Sequence, residues 1–261
     1  MKNKLAVLFV LSLPVFVMAQ GLDVPPRHII DMPTAGLLRR GGFDLNVRYY
    51  GQSGVNLAMN VGVSRRFMFG TSFGGVEVLG EKQADWNPAP GVLVRYQLLS
   101  ESLGLPGVTI GFESQGYGPF VRDSTDESKG RYVNKSLGLY VVGSKSYDFL
   151  ERLDFHAGIN YSLERDDKDK DPNLFMGVTL AINRDIELLA EYDLAFNDDG
   201  SKGSQNERRF GDGKGYLNSG IRLNLQDVVY LEFFLKNLFK NRTTAEDYTR
   251  EFKITYFQFI M

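Results

Sequence analysis

The chain has 261 residues, of which 43% are hydrophobic and 24% are charged, and it contains 28 glycines and no cysteine. This composition excludes an intrinsically disordered chain, a disulfide-stabilised scaffold and any site that depends on a thiolate. Because 30 basic residues stand against 32 acidic ones, there is no basic excess and no electrostatic reason to expect nucleic acid as a partner.

The first residues indicate export. Lys2 and Lys4 precede an apolar run, Leu5–Val17, which is shorter than the ~20 residues that a membrane-spanning helix requires. Small residues then stand at the positions that define a cleavage site. We predict a secretory signal peptide over residues 1–19, cut between Ala19 and Gln20, with a retained membrane anchor as the alternative.

Much of the remaining sequence alternates apolar with polar residues. Leu153, Phe155 and Ile159, for example, alternate with Asp154 and His156. Such a period of two predicts β-strands with one apolar and one polar face, and the lengths cluster near the ~9–11 residues of a tilted membrane-spanning strand. We predict twelve strands, over residues 43–50, 54–63, 67–79, 91–99, 107–114, 131–142, 153–163, 174–182, 186–196, 215–225, 228–237 and 250–260.

The connections between these strands alternate in length. The connections after strands two, eight and ten are tight, those after four and six are moderate, and the first, Gly51–Ser53, is the exception to the rule. This alternation predicts an all-β fold, a single up-and-down antiparallel transmembrane barrel with short periplasmic turns and long extracellular loops. A soluble β-sandwich or a lipocalin-like barrel is the alternative. The predicted long loops are 80–90, 115–130, 164–173, 197–214 and 238–249.

The predicted domains are the signal peptide at 1–19, an N-terminal periplasmic segment at 20–42 and an outer-membrane barrel at 43–261. The polar faces carry charges of both signs, which we expect to line the lumen, where they pair across the bore or give it a preference for cations. Both registers of the last strand are apolar, so its facing stays open. The lumen-lining candidates are Arg48, Arg95, Glu113, His156, Glu187, Glu191, Arg222 and Glu232.

Three stretches resemble a known family. They are Ile30–Gly36 followed by Arg40-Gly41-Gly42, then Trp86–Gly91 leading into Val92–Tyr96, and Gly111–Gly118. These stretches resemble YjbH-like bacterial outer-membrane barrels associated with exopolysaccharide loci. The resemblance covers the N-terminal half and implies an outer-membrane barrel that handles or exports a surface polysaccharide. It brings no catalytic motif.

His156 is the candidate for enzymatic chemistry, since twelve-stranded phospholipase barrels exist. A hydrolase would need a serine within about 4 Å of the imidazole and a third group that orients the ring. Ser136 and Ser162 are unsupported guesses for the nucleophile. We therefore predict that His156 lines the lumen and that the chain has no catalytic residue, no cofactor and no metal site.

The segment from Gln20 to Arg40 does not follow the strand pattern. It contains Pro25, Pro26 and Pro33, which are too many for a regular strand. We expect it to tuck into the periplasmic mouth of the barrel, to dock a partner, or to serve as a plain tether.

Three functions stay open on this sequence. The first is a non-enzymatic barrel for transport or for handling of surface polysaccharide, the second is a structural or adhesive barrel that acts through its outer loops, and the third is a phospholipid hydrolase that uses His156. The expected partners are outer-membrane lipid and lipopolysaccharide, the barrel-assembly machinery, and polysaccharide or periplasmic export partners, with no nucleic acid.

Overall fold

The computed structural model describes residues 25–81, 83–122, 130–164, 169–199, 211–241 and 249–259. Within these ranges no helix is long and apolar enough to cross a membrane; a short 3-10 turn spans Phe196–Asp198. The strands are β1 (Gly42–Tyr50), β2 (Gly54–Gly62), β3 (Phe67–Val76), β4 (Asp85–Trp86), β5 (Gly91–Leu99), β6 (Gly107–Glu113), β7 (Tyr117–Arg122), β8 (Gly130–Asn134), β9 (Gly138–Tyr147), β10 (Arg152–Tyr161), β11 (Asn173–Ala181), β12 (Ile186–Asp193), β13 (Tyr216–Leu225), β14 (Val229–Lys236) and β15 (Thr249–Phe259).

Twelve of these strands form a closed antiparallel barrel. Each barrel strand pairs with the next barrel strand along the chain, and β1 pairs with β15 in a register that includes Val47 opposite Ile254. The two-residue strand β4 and the hairpin β7–β8 lie in the connections and take no place in the ring. The predicted all-β fold, a single antiparallel barrel of twelve strands, is thus confirmed.

The two surfaces of the barrel differ in chemistry. Because side chains alternate across a strand, every second residue faces outward, and these positions carry exposed apolar side chains. The intervening positions face inward and bury polar or charged groups. This is the pattern of a barrel whose outside meets lipid and whose inside is polar. Outward-facing apolar residues include Leu57, Met59, Phe69, Phe73, Leu139, Val141, Phe155, Ile159, Leu174, Met176, Leu188 and Phe233.

The connections alternate as predicted. One end of the barrel is formed by the short connections 63–66, 100–106, 148–151, 182–185 and 226–228. The other end is formed by the longer connections 77–90, 114–137, 162–172, 194–215 and 237–248, together with the short exception at 51–53. Both chain ends of the barrel, at Gly42 and Phe259, lie on the short-turn side.

The sixth predicted strand, 131–142, differs from the structure. Its first half is β8, which pairs with β7 above the barrel, and its second half begins β9. The predicted strand is interrupted before β9, which begins at Gly138. This residue has a φ of +65°, and a Cβ added to it would lie 2.2 Å from the Tyr161 carbonyl oxygen. Tyr132, Val133 and Leu137 are buried in the outer loops, where apolar side chains are favoured. In the sequence, these apolar residues therefore resemble the first half of one continuous strand.

The structure also decides the facing of the last strand. Phe257 is buried inside the barrel with Leu93 and Met68, and Glu251 is buried on the same inner face. The alternate register, with Phe252, therefore faces outward, where its ring packs against that of Phe233 at 4.8 Å.

Candidate functional site: a hairpin inside the barrel

Residues 25–38 lie inside the barrel, where they form what we name the luminal hairpin. Ile29 N–H donates to the Met32 carbonyl at 2.9 Å and Thr34 N–H to the Arg27 carbonyl at 3.0 Å, which closes a turn at the tip. The predicted segment 20–42 was expected at the periplasmic mouth, and the hairpin instead reaches into the outer half of the bore. The predicted signal peptide and its cleavage site at Ala19 and Gln20 lie outside the described residues.

Glu191 of β12 holds the tip of the hairpin. Its carboxylate accepts hydrogen bonds from three successive backbone N–H groups, those of Ile30 (2.9 Å), Asp31 (3.0 Å) and Met32 (2.9 Å). Asn218 donates a fourth at 2.8 Å. Because the carboxylate is 1% exposed, these donors replace the water that it would otherwise bind. Glu191 thus fixes the backbone of the turn.

The side chain of Asp31, at the same tip, meets two buried cations. Oδ1 lies 2.7 Å from Arg48 Nη2 and Oδ2 lies 2.6 Å from Lys236 Nζ. Glu251 also contacts Arg48, with 2.7 Å between Oε2 and Nε. Burial alone would raise the pKa of Asp31, but Lys236 and Arg48 outweigh it and lower the pKa to about 2. Asp31 is therefore ionised.

His28 is held on the opposite wall. Its Nε2 lies 2.8 Å from Arg95 Nη2 and 3.1 Å from Glu113 Oε2. Burial and the nearby Arg95 cation lower the pKa of His28 to about 4, against the pull of Glu113. The ring is therefore neutral at pH 7, and its Nε2 accepts the hydrogen bond from Arg95. Arg95 also donates to the Arg27 carbonyl at 2.6 Å.

Arg222 links the hairpin to a cluster of wall carboxylates. It donates to Glu232 and Glu187, each at 2.8 Å, and to the backbone carbonyls of His28 (2.9 Å) and Ile29 (3.2 Å). These pairs join neighbouring strands of one wall, since Glu187 and Glu232 stand directly opposite Arg222 in the two adjacent strands, and the prediction that such charges pair across the bore does not hold for them.

The returning limb of the hairpin is bound to the wall in the lower half of the bore. Ala35 N–H donates to Ser144 Oγ at 2.8 Å, and the Ala35 carbonyl accepts from Thr109 Oγ1 at 2.8 Å. Leu37 and Leu38 pack with Met68, Leu93 and Phe257 in an apolar cluster. Both polar and apolar contacts therefore hold the hairpin to the wall.

The outer loops cover the other end of the bore. The Arg131 side chain is fully buried and lies 2.8 Å from Asp198. Glu164 accepts the backbone N–H groups of Tyr132 and Ser136, each at 2.9 Å, although burial raises the pKa of its carboxyl. The space between the hairpin and the walls of β1–β3 amounts to a cavity of about 80 Å³, enough for several water molecules. A larger space of about 820 Å³ lies beside the returning limb at the short-turn end, against Ser144 and His156. The described hairpin and loop residues therefore fill the outer half of the lumen more completely than the inner half.

His156 lies near a serine that the sequence did not point to. Ser144 Oγ is 2.7 Å from His156 Nδ1, whereas Ser136 and Ser162 make no hydrogen bond to the ring among the described contacts. His156 Nε2 has no hydrogen-bond partner within the described ranges. Asp154 binds Arg152 and Thr179 rather than the imidazole. The pair therefore lacks the group that would orient the ring.

All eight predicted lumen residues lie on the inner wall, and seven of them have hydrogen-bond or ionic contacts with the hairpin or with one another. His156 is the one of the eight that meets the hairpin only through Ser144. Sequence reasoning missed Asp31, because it precedes the strands, and it missed several charges that occupy the same inward register as the predicted ones. These further wall charges are Asp44, Lys236, Glu251 and Lys253.

The sequence and the fold can now be compared with those of known proteins. No protein-family model matches the sequence, and a search of curated proteins finds no match. Among solved structures, the chain is similar to a KdgM porin (10% identity, 82% of this chain and 98% of that chain, TM-score 0.49). It is also similar to a NanC porin (12% identity, 84% and 100%, TM-score 0.41). A third similar structure is a Salmonella typhi OmpF complex with Daunomycin (11% identity, 83% and 96%, TM-score 0.31). These likenesses carry no functional argument.

Proposed function

We propose that this chain is a non-enzymatic outer-membrane channel that its own luminal hairpin holds closed. The observation that carries the proposal is the fit between the hairpin and the charged wall. Glu191, Arg222 and Arg95 all bind hairpin backbone atoms, and Arg48 and Lys236 bind the hairpin side chain of Asp31. The hairpin is joined to the barrel through its own chain connection at Gly42 and is otherwise held by non-covalent contacts.

The polar chemistry of the inner wall favours a channel over a barrel with a purely structural role. Burying charge is costly, and a bore filled by apolar side chains would be as stable or more so. This bore instead places Arg95 and Glu191 where many of their partners belong to the hairpin. Once the hairpin leaves, the same groups would face water and line a hydrophilic passage.

The apolar outside of the barrel supports a location in the bacterial outer membrane, because closed barrels can satisfy all their backbone groups in lipid. The resemblance of three N-terminal stretches to YjbH-like barrels supports surface polysaccharide as the class of solute. Under this proposal the chain takes part in handling or export of such a polymer.

Planar-bilayer conductance of the refolded protein tests the channel. The full chain is compared with a variant in which residues 25–38 are replaced by a Gly–Ser linker of equal length, so that chain length is kept and the contacts are lost. We expect rare openings for the full chain and long-lived conducting steps for the variant. Heat-modifiable migration on an unboiled gel checks that each barrel is folded. A folded variant that conducts no better than the full chain would contradict the proposal.

One observation favours a second candidate, a hydrolase. The 2.7 Å distance between Ser144 Oγ and His156 Nδ1 meets the geometric requirement for a nucleophile and its base. Against it, Ser144 also accepts the Ala35 N–H. If this candidate is correct, the refolded protein turns over phospholipid and His156→Ala abolishes the turnover; no turnover by the parent protein rejects it.

A further inference from the structure

The contacts of Asp31 have the form of an occupied binding site. Each of its two carboxylate oxygens meets a different cation, Arg48 at 2.7 Å and Lys236 at 2.6 Å, and all three side chains are at most 5% exposed. Two charge-assisted contacts on one carboxylate fix both its position and its orientation. The wall therefore carries a preformed receptor for a carboxylate, and in the closed state the hairpin supplies that carboxylate.

The charge balance of the wall points to a ligand when the hairpin is absent. Without Asp31, Arg48 and Lys236 share Glu251, which lies 2.7 Å from Arg48 Nε and 3.3 Å from Lys236 Nζ. The two cations would then keep Glu251 as their one described ion-pair partner in a confined space, where unpaired charge is costly. An anion that enters the bore would restore the balance.

An aromatic ring shapes the site from the outer side. The Tyr117 ring lies over both cations, 4.4 Å from Arg48 Cζ and 5.0 Å from Lys236 Nζ. A ring over cations holds them in place without neutralising their charge. Tyr117 belongs to the loop hairpin β7–β8, so the site remains framed by the outer loops and the wall when Asp31 leaves.

Lys253 shows that this excess of positive charge is local. It lies 2.8 Å from Glu232, and Glu232 and Glu187 also contact Arg222. That neighbouring cluster balances its side-chain charges without any carboxylate from the hairpin. Lys253 is therefore a control for Lys236. Each is a lysine on the inner face of the barrel that pairs with a buried carboxylate, and only Lys236 contacts Asp31 among the described ion pairs.

We propose that Arg48 and Lys236 form a binding site for the carboxylate of an acidic solute, and that such a solute opens the channel by taking the place of Asp31. This inference rests on the proposed function. A solute that binds the wall only when the hairpin is out favours the open state in proportion to its binding there. The chemical class is a carboxylate carried by a hydrophilic molecule small enough for the bore.

The first experiment measures open probability of the full chain in planar bilayers. Glucuronate, glucose and additional chloride are compared at constant temperature, with ionic strength held equal between the two anions. We expect millimolar glucuronate to raise open probability severalfold, and glucose and chloride to leave it unchanged. An equal response to chloride would mean simple screening of ion pairs and would overturn the inference.

The variants separate the site from the rest of the wall. We expect Lys236→Gln to open more often than the parent protein without solute, since Asp31 is held less firmly, and yet to lose the glucuronate response. Lys253→Gln is expected to keep the response. A glucuronate response that survives in Lys236→Gln overturns the inference, because a merely structural lysine would leave the solute effect intact.

A second measurement does not depend on gating. In the linker variant that lacks the hairpin, glucuronate is expected to interrupt the current in a concentration-dependent way, and Lys236→Gln in that background is expected to weaken this block at least tenfold. If the linker variant conducts but glucuronate neither blocks it nor opens the full chain, the inference fails while the channel stands. If the linker variant is folded and closed, the proposed function itself fails.

Discussion

Glu191 shows at the scale of a single residue how a buried carboxylate can be satisfied by neutral groups. Its donors are three backbone N–H groups of the hairpin and the Asn218 amide. Asp31 follows the other strategy, since two cations compensate its charge. The periodicity of the sequence placed Glu191 on a polar face, but it could not identify the three hairpin donors, because Asp31 and its neighbours lie about 160 positions away along the chain.

The lowered pKa of His28 predicts how hairpin insertion depends on pH. Its pKa is about 4 in the closed barrel against an ordinary value near 6.5, so the released hairpin binds the proton more tightly than the inserted one. The contribution of neutral His28 to the stability of the inserted hairpin is complete above about pH 6.5 and is lost as pH falls from there towards 4. Asp31, with a pKa lowered to about 2, loses its contribution only below about pH 4.

We therefore expect open probability to rise as pH is lowered from 7 to 4, by roughly a hundredfold at most if His28 acts alone. His28→Gln should flatten the profile over this range. Single-channel recording at a series of pH values measures the effect. An unchanged profile in His28→Gln would show that other titrating groups control the gate.

At the scale of elements, the hairpin is the part of the chain that strand rules do not describe. Pro25, Pro26 and Pro33 lack backbone N–H groups, so a ladder could not be completed there, and side chains of the wall satisfy the backbone instead. Glycines of the barrel make room for it. At Gly62, a Cβ would lie 2.7 Å from the Leu38 carbonyl oxygen, and at Gly177 it would lie 2.4 Å from Ile29 Cδ1.

A disulfide can lock this element to the wall. The Ala35 Cβ lies 3.5 Å from the position that a Cβ at Gly107 would take, which is within the usual range for a disulfide. The chain has no cysteine of its own, so Ala35→Cys with Gly107→Cys has no competing partner. We expect the oxidised double variant to stay closed, even at pH 4, and reductant to restore opening. Conductance before and after reduction measures this, with each single variant as a control that should show no redox dependence.

At the scale of the whole molecule, two parts of the described structure fill or cover the bore of the barrel. The luminal hairpin fills the bore from the side of the short turns, and the β6–β9 connection with its neighbours covers the outer end, where Arg131 binds Asp198. Under the proposed function, opening requires the hairpin to leave the bore. The Tyr117 ring of the β6–β9 connection lies 4.4 Å from Cζ of Arg48, the wall residue that binds Asp31 of the hairpin.

The sequence by itself determined the strands, the two faces of the wall and the alternation of turns and loops. These features repeat every second residue or depend on neighbouring residues, so a local pattern encodes them. The one misplaced strand, 131–142, arose where apolar residues serve burial in a loop. Only the tertiary structure decided where residues 25–38 lie and which charges meet, because those contacts join parts of the chain as distant as Arg48 and Glu251. A local pattern determines whether a side chain faces into or out of the barrel. Closure of the barrel determines which residues that side chain contacts.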